Sequence, residues 1–531
     1  MISVSNAWKA AHNETLLPET FVEITYAATE PGVQKTAVST ATLEESFSNT
    51  AQVASTLDKN PEKYATLEGF GLDGSFEYFD GSPVDAGYVS DVMSDADGVF
   101  ETAPVVTITM NAVKTVLIPG VVITWSEVFN EWATDFRVTA WANETVMAQK
   151  TVAGNTSPVS KVWMEIQNYN RITVEILKWS LPYHRARCLE VFLGVQNVYT
   201  KSDLMGFTHT QAADLLSATL PKNEIVFRLR NEDQRWNPDN PGGLEHYLLE
   251  RQEVRLRYGM AVGDKTEWIP GGTFWVSGWN TPSNGLEATF TARDALEFMN
   301  DEYVGPKSGS LYEIALAALV QAKLPVNEDD GSLRYAVHES LKDYTTSFTE
   351  NYTMAEVLQL VAHAANCVLY QDRHGVLRVE PWSGTYADYT VGQFISYAHP
   401  EYTISRPLKS VSVGYGENQR AVVNVGESGE VQTVDNPLLK TEADAIRVGE
   451  RASEVLSNRK VISGEFRADV RLDALDPIIV TSKYASNIIG VTEIEYSTTG
   501  GTFRGKYTGR VVSIDLKSAD RRVGEFYVGE V

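Results

Sequence analysis

The stretch Thr353–Trp382 reads TMAEVLQLVAHAANCVLYQDRHGVLRVEPW, and its apolar pattern changes from helical to extended partway along. One helix face is predicted because apolar residues recur at helical spacing. These residues are Met354, Val357, Leu358, Val361 and Ala365. Thr353, with Glu356 three residues later, forms the capping-box pattern that marks a helix start. The first half of the stretch therefore predicts a short helix.

The second half of the same stretch has the pattern of a β-hairpin. Cys367–Tyr370 has strand character, Asp372–Gly375 has turn character, and Val376–Glu380 returns with partial apolar alternation. The order is therefore helix, strand, D-x-x-G turn and strand. No side chain in this unit is arranged for chemistry, so we interpret the unit as structural.

The composition sets wide limits on the class of protein. A chain of 531 residues predicts roughly two to four domains. Hydrophobic residues at 43% and charged residues at 22% are ordinary for a folded protein, and 10% aromatic residues favour β-structure. The net charge of −25 repels nucleic acid, so we expect no sequence-specific DNA binding.

Two cysteines, Cys188 and Cys367, lie far apart in the sequence. They predict neither a disulfide framework nor a zinc site. The first residues, MISVSNAWKAAHNETLLPET, lack the basic and apolar regions of a signal peptide, and no run approaches the ~20 apolar residues of a membrane span. We therefore expect the chain to fold in a cytoplasm and to have no membrane span.

Short alternating strands follow one another closely between residues 105 and 194, and this spacing predicts an antiparallel sandwich. The pieces GVVITW, ATDFRVTAW, YNRITVEILKW and RARCLEVFLG follow in order. In this order they resemble a jelly roll of the discoidin or galactose-binding type. That fold is shared by sugar binders, lipid binders and purely structural modules, so the resemblance leaves the function of the sandwich open.

Two features of the sandwich have both a ligand-binding and a structural interpretation. Its tryptophans could stack on sugar rings or pack in the core, and those nearer loops are better candidates for exposure. Trp132 and Trp141 are our candidate ligand-binding residues. The acidic loop Asp95–Gly98 could hold a calcium ion, but two carboxylates in such a loop more often form a plain turn, and we predict no metal site.

A second set of strands follows residue 198, at Lys222–Arg230, Glu253–Tyr258, Gly271–Ser277 and Leu286–Asp294. Asn284–Gly285 is a strong hairpin-turn signal before the last of these. At its end we expect Arg293 and Asp294 to form a local ion pair. Helices are predicted at Ser310–Ala322 and Glu442–Asn458 from their apolar stripes, and a half-buried strand is predicted from Phe466 onward.

Three features together resemble phage tail hub proteins. They are the block of strand, turn, strand and A-x-D, the helix and hairpin at 353–382, and the NPLL motif followed by a helix and then by DPIIV. Pro477 departs from the pattern of the closing hub strand. The resemblance implies a mainly β fold with minor α content, with hub-type β-barrel domains and an inserted jelly-roll sandwich. The predicted domains are 1–58 (first hub strands), 59–196 (sandwich insertion), 197–305 (β-barrel), 306–400 (helix and hairpin) and 401–531 (second barrel with a helix).

The resemblance also implies a function and partners. The chain would be a structural virion protein, and three copies would close the distal end of a phage tail tube. It would contact the distal tail protein and the tail tube protein, with the tape measure protein as a further candidate partner. The sandwich would contact host-surface glycan or a neighbouring tail protein. The protein would assemble in the host cytoplasm and end in the virion.

No catalytic constellation is visible in the sequence. A G-x-S-x-G elbow and a Walker loop are both missing, and His338 and His363 are too isolated for an H-E-x-x-H site. We therefore predict neither an enzyme activity nor a cofactor. The alternative is a secreted carbohydrate-binding or glycan-active protein. A finding that the protein is a monomer and cleaves polysaccharide would support this alternative.

Overall fold

The fold was analysed in a computed structural model. It describes the chain apart from residues 15–17, 29–32, 34–36, 55–63, 67, 70, 72–75, 77–85, 127, 238, 241–251, 264, 283–284, 326–331, 383, 385–386, 393–394, 483–484, 500–501 and 517–531. The described part is dominated by antiparallel strands, so the predicted mainly β fold is confirmed. Asn284 of the predicted hairpin turn lies outside the described residues.

Four α-helices occur in the described part of the chain. They are α1 (Asn6–His12), α2 (Leu311–Gln321), α3 (Met354–Ala364) and α4 (Glu442–Ser457).

The strands of the first half belong mostly to the sandwich. They are β1 (Thr20–Ala28), β2 (Val38–Ala41), β3 (Tyr88–Met93), β4 (Val105–Lys114), β5 (Ile118–Thr124), β6 (Ala133–Ala142), β7 (Thr145–Val152), β8 (Val159–Ile166), β9 (Tyr169–Trp179), β10 (Arg185–Cys188), β11 (Glu190–Leu193), β12 (Val195–Tyr199), β13 (Leu204–Ala212), β14 (Lys222–Arg230), β15 (Glu253–Val262) and β16 (Lys265–Asn280).

The strands of the second half are β17 (Glu287–Arg293), β18 (Ser308–Ser310), β19 (Tyr335–Val337), β20 (Thr345–Ser347), β21 (Cys367–Gln371), β22 (Leu377–Pro381), β23 (Thr390–Val391), β24 (Glu401–Ile404), β25 (Leu408–Tyr415), β26 (Gln419–Asn424), β27 (Glu430–Val434), β28 (Lys460–Arg467), β29 (Pro477–Thr481), β30 (Ala485–Thr499) and β31 (Thr502–Leu516).

The helix and hairpin of the opening stretch form as predicted. The Thr353 hydroxyl accepts a hydrogen bond from the Glu356 backbone N–H at 3.2 Å, and the Glu356 carboxylate accepts one from the Thr353 N–H at 2.8 Å. This reciprocal pair satisfies two of the free donors at the start of α3. β21 and β22 pair antiparallel across the predicted turn, and β19 adds to β22 in parallel.

The turn between β21 and β22 depends on Gly375, which has a φ of +75°. A Cβ at this position would lie 2.6 Å from Nη1 of Arg334 and 3.1 Å from Cβ of Thr273. The Arg334 guanidinium cannot easily move away, because Glu253 holds it at 2.7 Å. Both backbone strain and crowding therefore require glycine here.

Gly375→Ala is expected to destabilise the protein by about 2 kcal/mol or more, as measured by urea unfolding. Gly263 is a matched control, because its φ is also positive at +61° but a Cβ there would meet no atom within 4 Å. Gly263→Ala should cost only about 1 kcal/mol, the backbone penalty alone. If both variants lost the same free energy of unfolding, the atoms around Gly375 would have moved aside for the new Cβ without an energetic cost.

One 13-stranded sheet forms the framework of the molecule, in the order β12-β1-β15-β16-β17-β14-β13-β30-β31-β28-β24, with β29 and β23 attached through β30. The pairing of β13 with β30 joins the strands after residue 200 to those after residue 460. Their buried side chains share one hydrophobic core. The division of the framework into two barrel domains remains a prediction.

The strand predicted from Phe466 onward is wrong in its position. β28 ends at Arg467, and the buried residues that follow form a turn in which the Asp469 carboxylate binds the Arg471 guanidinium at 2.6 Å. Burial of alternate apolar residues gave the stretch the appearance of a strand. The later strand, β29, begins at Pro477 as the sequence indicated.

A small sheet, β26-β25-β27, packs against α4 beside the framework. The predicted helices at 310–322 and 442–458 are confirmed as α2 and α4, each with a capping box at its start. No helix among the described residues is both long and apolar enough to cross a membrane.

The sandwich lies between β1 and β12, which pair directly with each other in the framework sheet. It consists of a five-stranded sheet, β2-β4-β9-β6-β7, facing a three-stranded sheet, β11-β5-β8, with the pair β3-β10 at the side. Trp125 and Trp179 are 0% and 1% exposed and stack edge-on in its core. The core interpretation is therefore confirmed for these two tryptophans.

Candidate functional site at the loop end of the sandwich

The strand registers give the sandwich two different ends. The chain enters at Val38, which pairs with Thr109, and leaves after Leu193, which pairs with Val121. Both crossings to the framework lie at the same end as the short turns that follow β4, β6 and β8. The opposite end carries the longer loops 94–104, 125–132, 153–158 and 180–184. We call this opposite end the loop end.

A buried network of charged groups underlies the loop end. The Arg187 guanidinium donates to Glu131 at 3.0 Å and to Glu68 at 2.6 Å. Arg185 also donates to Glu68, and its guanidinium lies 3.4 Å from Glu45. The side chains of Arg187, Glu68 and Glu131 are each no more than 4% exposed. Loops that are far apart in the sequence are therefore tied together by ion pairs with little access to water.

Glu131 is the centre of this network. Besides Arg187, its carboxylate accepts a hydrogen bond from the Trp179 indole N–H at 2.9 Å and lies 3.1 Å from Nδ1 of His184. The His184 side chain is 24% exposed, so it connects the buried carboxylate to the surface. A histidine held in this way presents an oriented ring to solvent.

The pKa of Glu68 shows that the network favours its charged form. Burial alone would raise the pKa of this carboxyl, but the charges of Arg187 and Arg185 and their hydrogen bonds outweigh burial and lower it. Burial would likewise lower the pKa of Arg187, and the surrounding anionic and hydroxyl groups raise it instead. The ion pair of Glu68 with Arg187 is therefore charged at neutral pH.

The surface of the loop end carries an exposed aromatic residue in a strained conformation. Tyr183 is 62% exposed and has a φ of +58°. Its backbone N–H points to the Asp95 carbonyl at 3.4 Å, and its neighbour in sequence is His184. Non-glycine residues in this region of backbone space are uncommon and cluster at functional sites. Tyr183, His184 and the exposed Leu181 thus form one surface, which we call the loop-end surface.

Sequence reasoning missed Tyr183, because nothing in the local pattern indicates its positive φ. Of the predicted site residues, Trp132 lies at the loop end, where it is partly buried and its indole donates to the Asn155 carbonyl at 2.9 Å. Trp141 lies at the other end of β6, roughly 30 Å away for nine residues of strand. Its ring is covered by the Arg171 guanidinium at 5.0 Å. The two tryptophans therefore do not meet in one site, and a role for either remains a prediction.

The acidic loop at Asp95 forms a turn. The Asp95 carboxylate accepts hydrogen bonds from the backbone N–H groups of Asp97 and Val99, at 2.9 and 2.8 Å. Among the residues that the structure describes, no group of three or more His, Cys, Asp or Glu side chains is placed to hold a metal ion. The turn interpretation of this loop is the one that fits the contacts.

The framework residues singled out in the sequence have structural roles. Arg293 and Asp294 do not pair with each other, so that prediction is wrong: Arg293 binds Glu224 at 3.0 Å. Asp294 is buried just after the end of β17, where it accepts the backbone N–H groups of Leu296 and Asn223, and burial raises the pKa of its carboxyl to about 7. The two charges have different partners because Arg293 lies opposite Glu224 in the β14–β17 pair, whereas Asp294 caps the helical turn that follows.

His363 is packed against the framework and is 7% exposed. Its Nδ1 lies 3.0 Å from the Asn436 side-chain nitrogen, and Asn436 also donates to the Leu360 carbonyl. Burial lowers the pKa of His363, so its ring is neutral at pH 7. It links α3 to the loop before α4 and has no arrangement with a nucleophile or a carboxylate that would suggest catalysis.

The chain is similar to known proteins in structure, and not detectably in sequence. No protein-family model matches the sequence, and no curated protein matches it. The similar solved structures include the 43 kDa tail protein of prophage MuSo2 from Shewanella oneidensis, at 13% identity and a TM-score of 0.40 over 59% of this chain and 94% of that one. A tail protein from Neisseria meningitidis has 10% identity and a TM-score of 0.42 over 60% and 93% of the two chains.

One further similar structure is a carbohydrate-binding module. A family 32 carbohydrate-binding module from C. perfringens NanJ, solved with galactose, matches at 14% identity and a TM-score of 0.20, covering 33% of this chain and 99% of the module. All these TM-scores are below 0.5, so the likenesses define no family for this chain. What it does has to be argued from its own residues.

Proposed function

We propose that this protein is a structural tail-tip component of a phage-like particle, a hub of which three copies close the distal end of the tail tube. The distal tail protein and the tail tube protein are its proposed neighbours, and the tape measure protein is a further one. The inserted sandwich contacts host-surface glycan through its loop end. The proposed location is the virion.

The observation that carries this proposal is the one-ended attachment of the sandwich. Its two chain crossings enter a single sheet through the paired strands β1 and β12, and the loops 94–104, 125–132, 153–158 and 180–184 lie at the far end. A module attached at one end leaves its other end free. A particle component needs this arrangement if it is to contact both its neighbours and an outside surface. Loops on a rigid scaffold are also where binding residues are usually found.

The framework itself supports a structural role. The sequence blocks that resemble tail hub proteins all lie outside the sandwich, and their polar residues are used for packing. Asp294 caps the helical turn after β17, Asn436 ties α3 to the loop before α4, and Arg373 joins the β21–β22 turn to Asp473. Polar side chains that are hydrogen-bonded within the protein in this way stabilise its fold.

The assembly part of the proposal predicts the mass of three chains in solution. Native mass spectrometry, or light scattering after gel filtration, would measure it over a range of concentrations. A trimer without polysaccharide cleavage supports the hub. A monomer at every concentration that cleaves polysaccharide would instead establish the secreted glycan-active alternative.

The glycan part predicts that binding depends on the loop end. On a glycan array, Tyr183→Ala in the full-length chain is expected to weaken binding roughly tenfold, because a sugar ring packs on an aromatic face. Tyr183→Phe keeps that face and should retain most of the binding. Trp132→Ala tests the second aromatic residue at this end.

Trp141→Ala tests the framework end of the sandwich in the same experiment. We place the contact at the loop end, so we expect this variant to bind as the parent does. Loss of binding by Trp141→Ala with full binding by Tyr183→Ala would move the glycan contact to the framework end.

A further inference from the structure

One end of the framework sheet is open among the residues that the structure describes. β24 is the last strand in the order, and within that part of the chain it pairs with β28 on one side only. All four of its residues are exposed, including Tyr402 at 41% and Ile404 at 59%. At the other end of the sheet, β12 packs against β5 of the sandwich, so that edge is covered. Edges that stay open and apolar in a folded protein are templates for pairing with another strand.

The register shows which backbone groups are free. The Ser405 N–H donates to the Arg459 carbonyl of the neighbouring segment, so residues 401, 403 and 405 direct their backbone toward β28. In an antiparallel pair the alternate residues point the other way. Tyr402 and Ile404 therefore direct their N–H and C=O groups outward, beside their exposed side chains.

Further exposed apolar residues continue this edge. Tyr397 is 50% exposed before β24, and Val431 is 54% exposed on β27, which is the edge strand of the small sheet. Glu430, next to Val431, forms a salt bridge with Arg406 at 3.1 Å, so the two edges are neighbours. We call the surface of β24 with Tyr397, Arg406 and Val431 the open edge. Its size matters because four paired residues alone would not make a stable interface.

The strands that adjoin the open edge differ in charge from the rest of the chain. Residues 397–409, 458–467 and 502–516, which form β24, β28, β31 and their flanks, contain eight Lys and Arg against three Asp and Glu, a net charge of +5. The whole chain carries −25, so the other residues carry −30. Arg459 and Arg504 are exposed here, and neither takes part in a salt bridge among the described residues. A basic patch on an acidic protein is complementary to most of the surface of another copy.

We propose that the open edge is the contact between copies of this chain, with a strand of the next copy adding to β24 and an acidic surface of that copy facing Arg459 and Arg504. The contact is head-to-tail, because a β24 that paired with the β24 of another copy would close as a two-copy dimer and could not build a ring of three. This inference rests on the proposed function, since it names the surface through which the ring closes.

Two variants test the contact in the full-length chain. Ile404→Pro removes an outward N–H and an apolar contact, and proline is tolerated on an edge strand when its missing N–H faces away from the sheet. Arg459→Glu with Arg504→Glu reverses the charge of the patch. Lys342→Glu is the control, because Lys342 is a 50% exposed cation outside the open edge, on the short 3-10 helix Glu339–Asp343.

Native mass spectrometry measures the fraction of assembled chains over a dilution series, and circular dichroism with thermal melting checks the fold. Both open-edge variants are expected to need roughly tenfold or more higher concentration to assemble, with unchanged melting, and the control should behave as the parent. A parent trimer that both variants retain would overturn the open-edge contact and leave the proposed hub standing. A parent that stays monomeric at every concentration would overturn the hub itself, and the contact with it.

Discussion

Arg373→Met is expected to lower the free energy of unfolding of the framework by about 3–5 kcal/mol, because it leaves a partly buried carboxylate without its cation. The Arg373 side chain is 3% exposed. Its Nε lies 2.9 and 3.0 Å from the two carboxylate oxygens of Asp473. Its other nitrogens donate to the carbonyls of Pro270 and Leu472, at 2.8 and 3.0 Å. One side chain thus joins the β21–β22 turn to two distant parts of the sheet.

Urea unfolding followed by tryptophan fluorescence and circular dichroism would measure this loss. Arg378→Met is the matched control, because Arg378 lies on the same hairpin and binds Asp372 at 2.7 Å but is 35% exposed. An exposed pair is worth less than about 1 kcal/mol, so the control should unfold almost as the parent does. If Arg373→Met lost as little unfolding free energy as the control, apolar packing could replace the Arg373 ion pair.

Arg187→Met is expected to have the second large effect, a loss of about 3–5 kcal/mol in the stability of the sandwich. The substitution removes the cation shared by Glu68 and Glu131, both almost fully buried. The Arg187 guanidinium also lies over the Phe129 ring at 4.6 Å. Arg137→Met is the control in the same sandwich, because its pair with Glu175 is 40% and 34% exposed and should contribute under about 1 kcal/mol.

The effect of Arg187→Met should depend on pH in a defined direction. In the parent, the pKa of Glu68 is lowered, so its contribution to stability is present above the unfolded pKa of about 4.3 and is lost as pH falls through the lower folded value. Without Arg187, burial dominates more and the folded pKa of Glu68 rises. The difference in unfolding free energy between parent and variant should therefore shrink from pH 7 to pH 4. A difference that stays constant would show that Glu68 is not the group left unpaired.

Local patterns in the sequence were enough to predict several elements of the framework. The helix after Thr353 forms with the capping box that the sequence indicates, and the helix after Thr441 forms where its apolar face predicts it. The alternation in Lys222–Arg230 likewise predicts β14 with the same bounds. In each case the deciding interaction is local, so a stretch of chain contains all the information needed.

The candidate site could not be predicted in the same way. Trp132 and Trp141 look equivalent in the sequence, but the registers of β6 and β9 place them at opposite ends of the sandwich. Arg293 was expected to pair with Asp294, yet its partner is Glu224, which the pairing of β14 with β17 sets directly opposite. Side-chain partners across a sheet follow strand register, and register involves residues far apart in the chain.

The sequence by itself determined that this protein is mainly β and acidic, because composition and short-range periodicity carry that information. Only the tertiary structure decided that β24 is the last strand of the described sheet, that Arg187 is buried between two carboxylates, and that Tyr183 is exposed beside His184. These features depend on which distant strands lie side by side. Which strands become neighbours depends on burial of the whole hydrophobic core, and a short stretch of sequence does not contain that information.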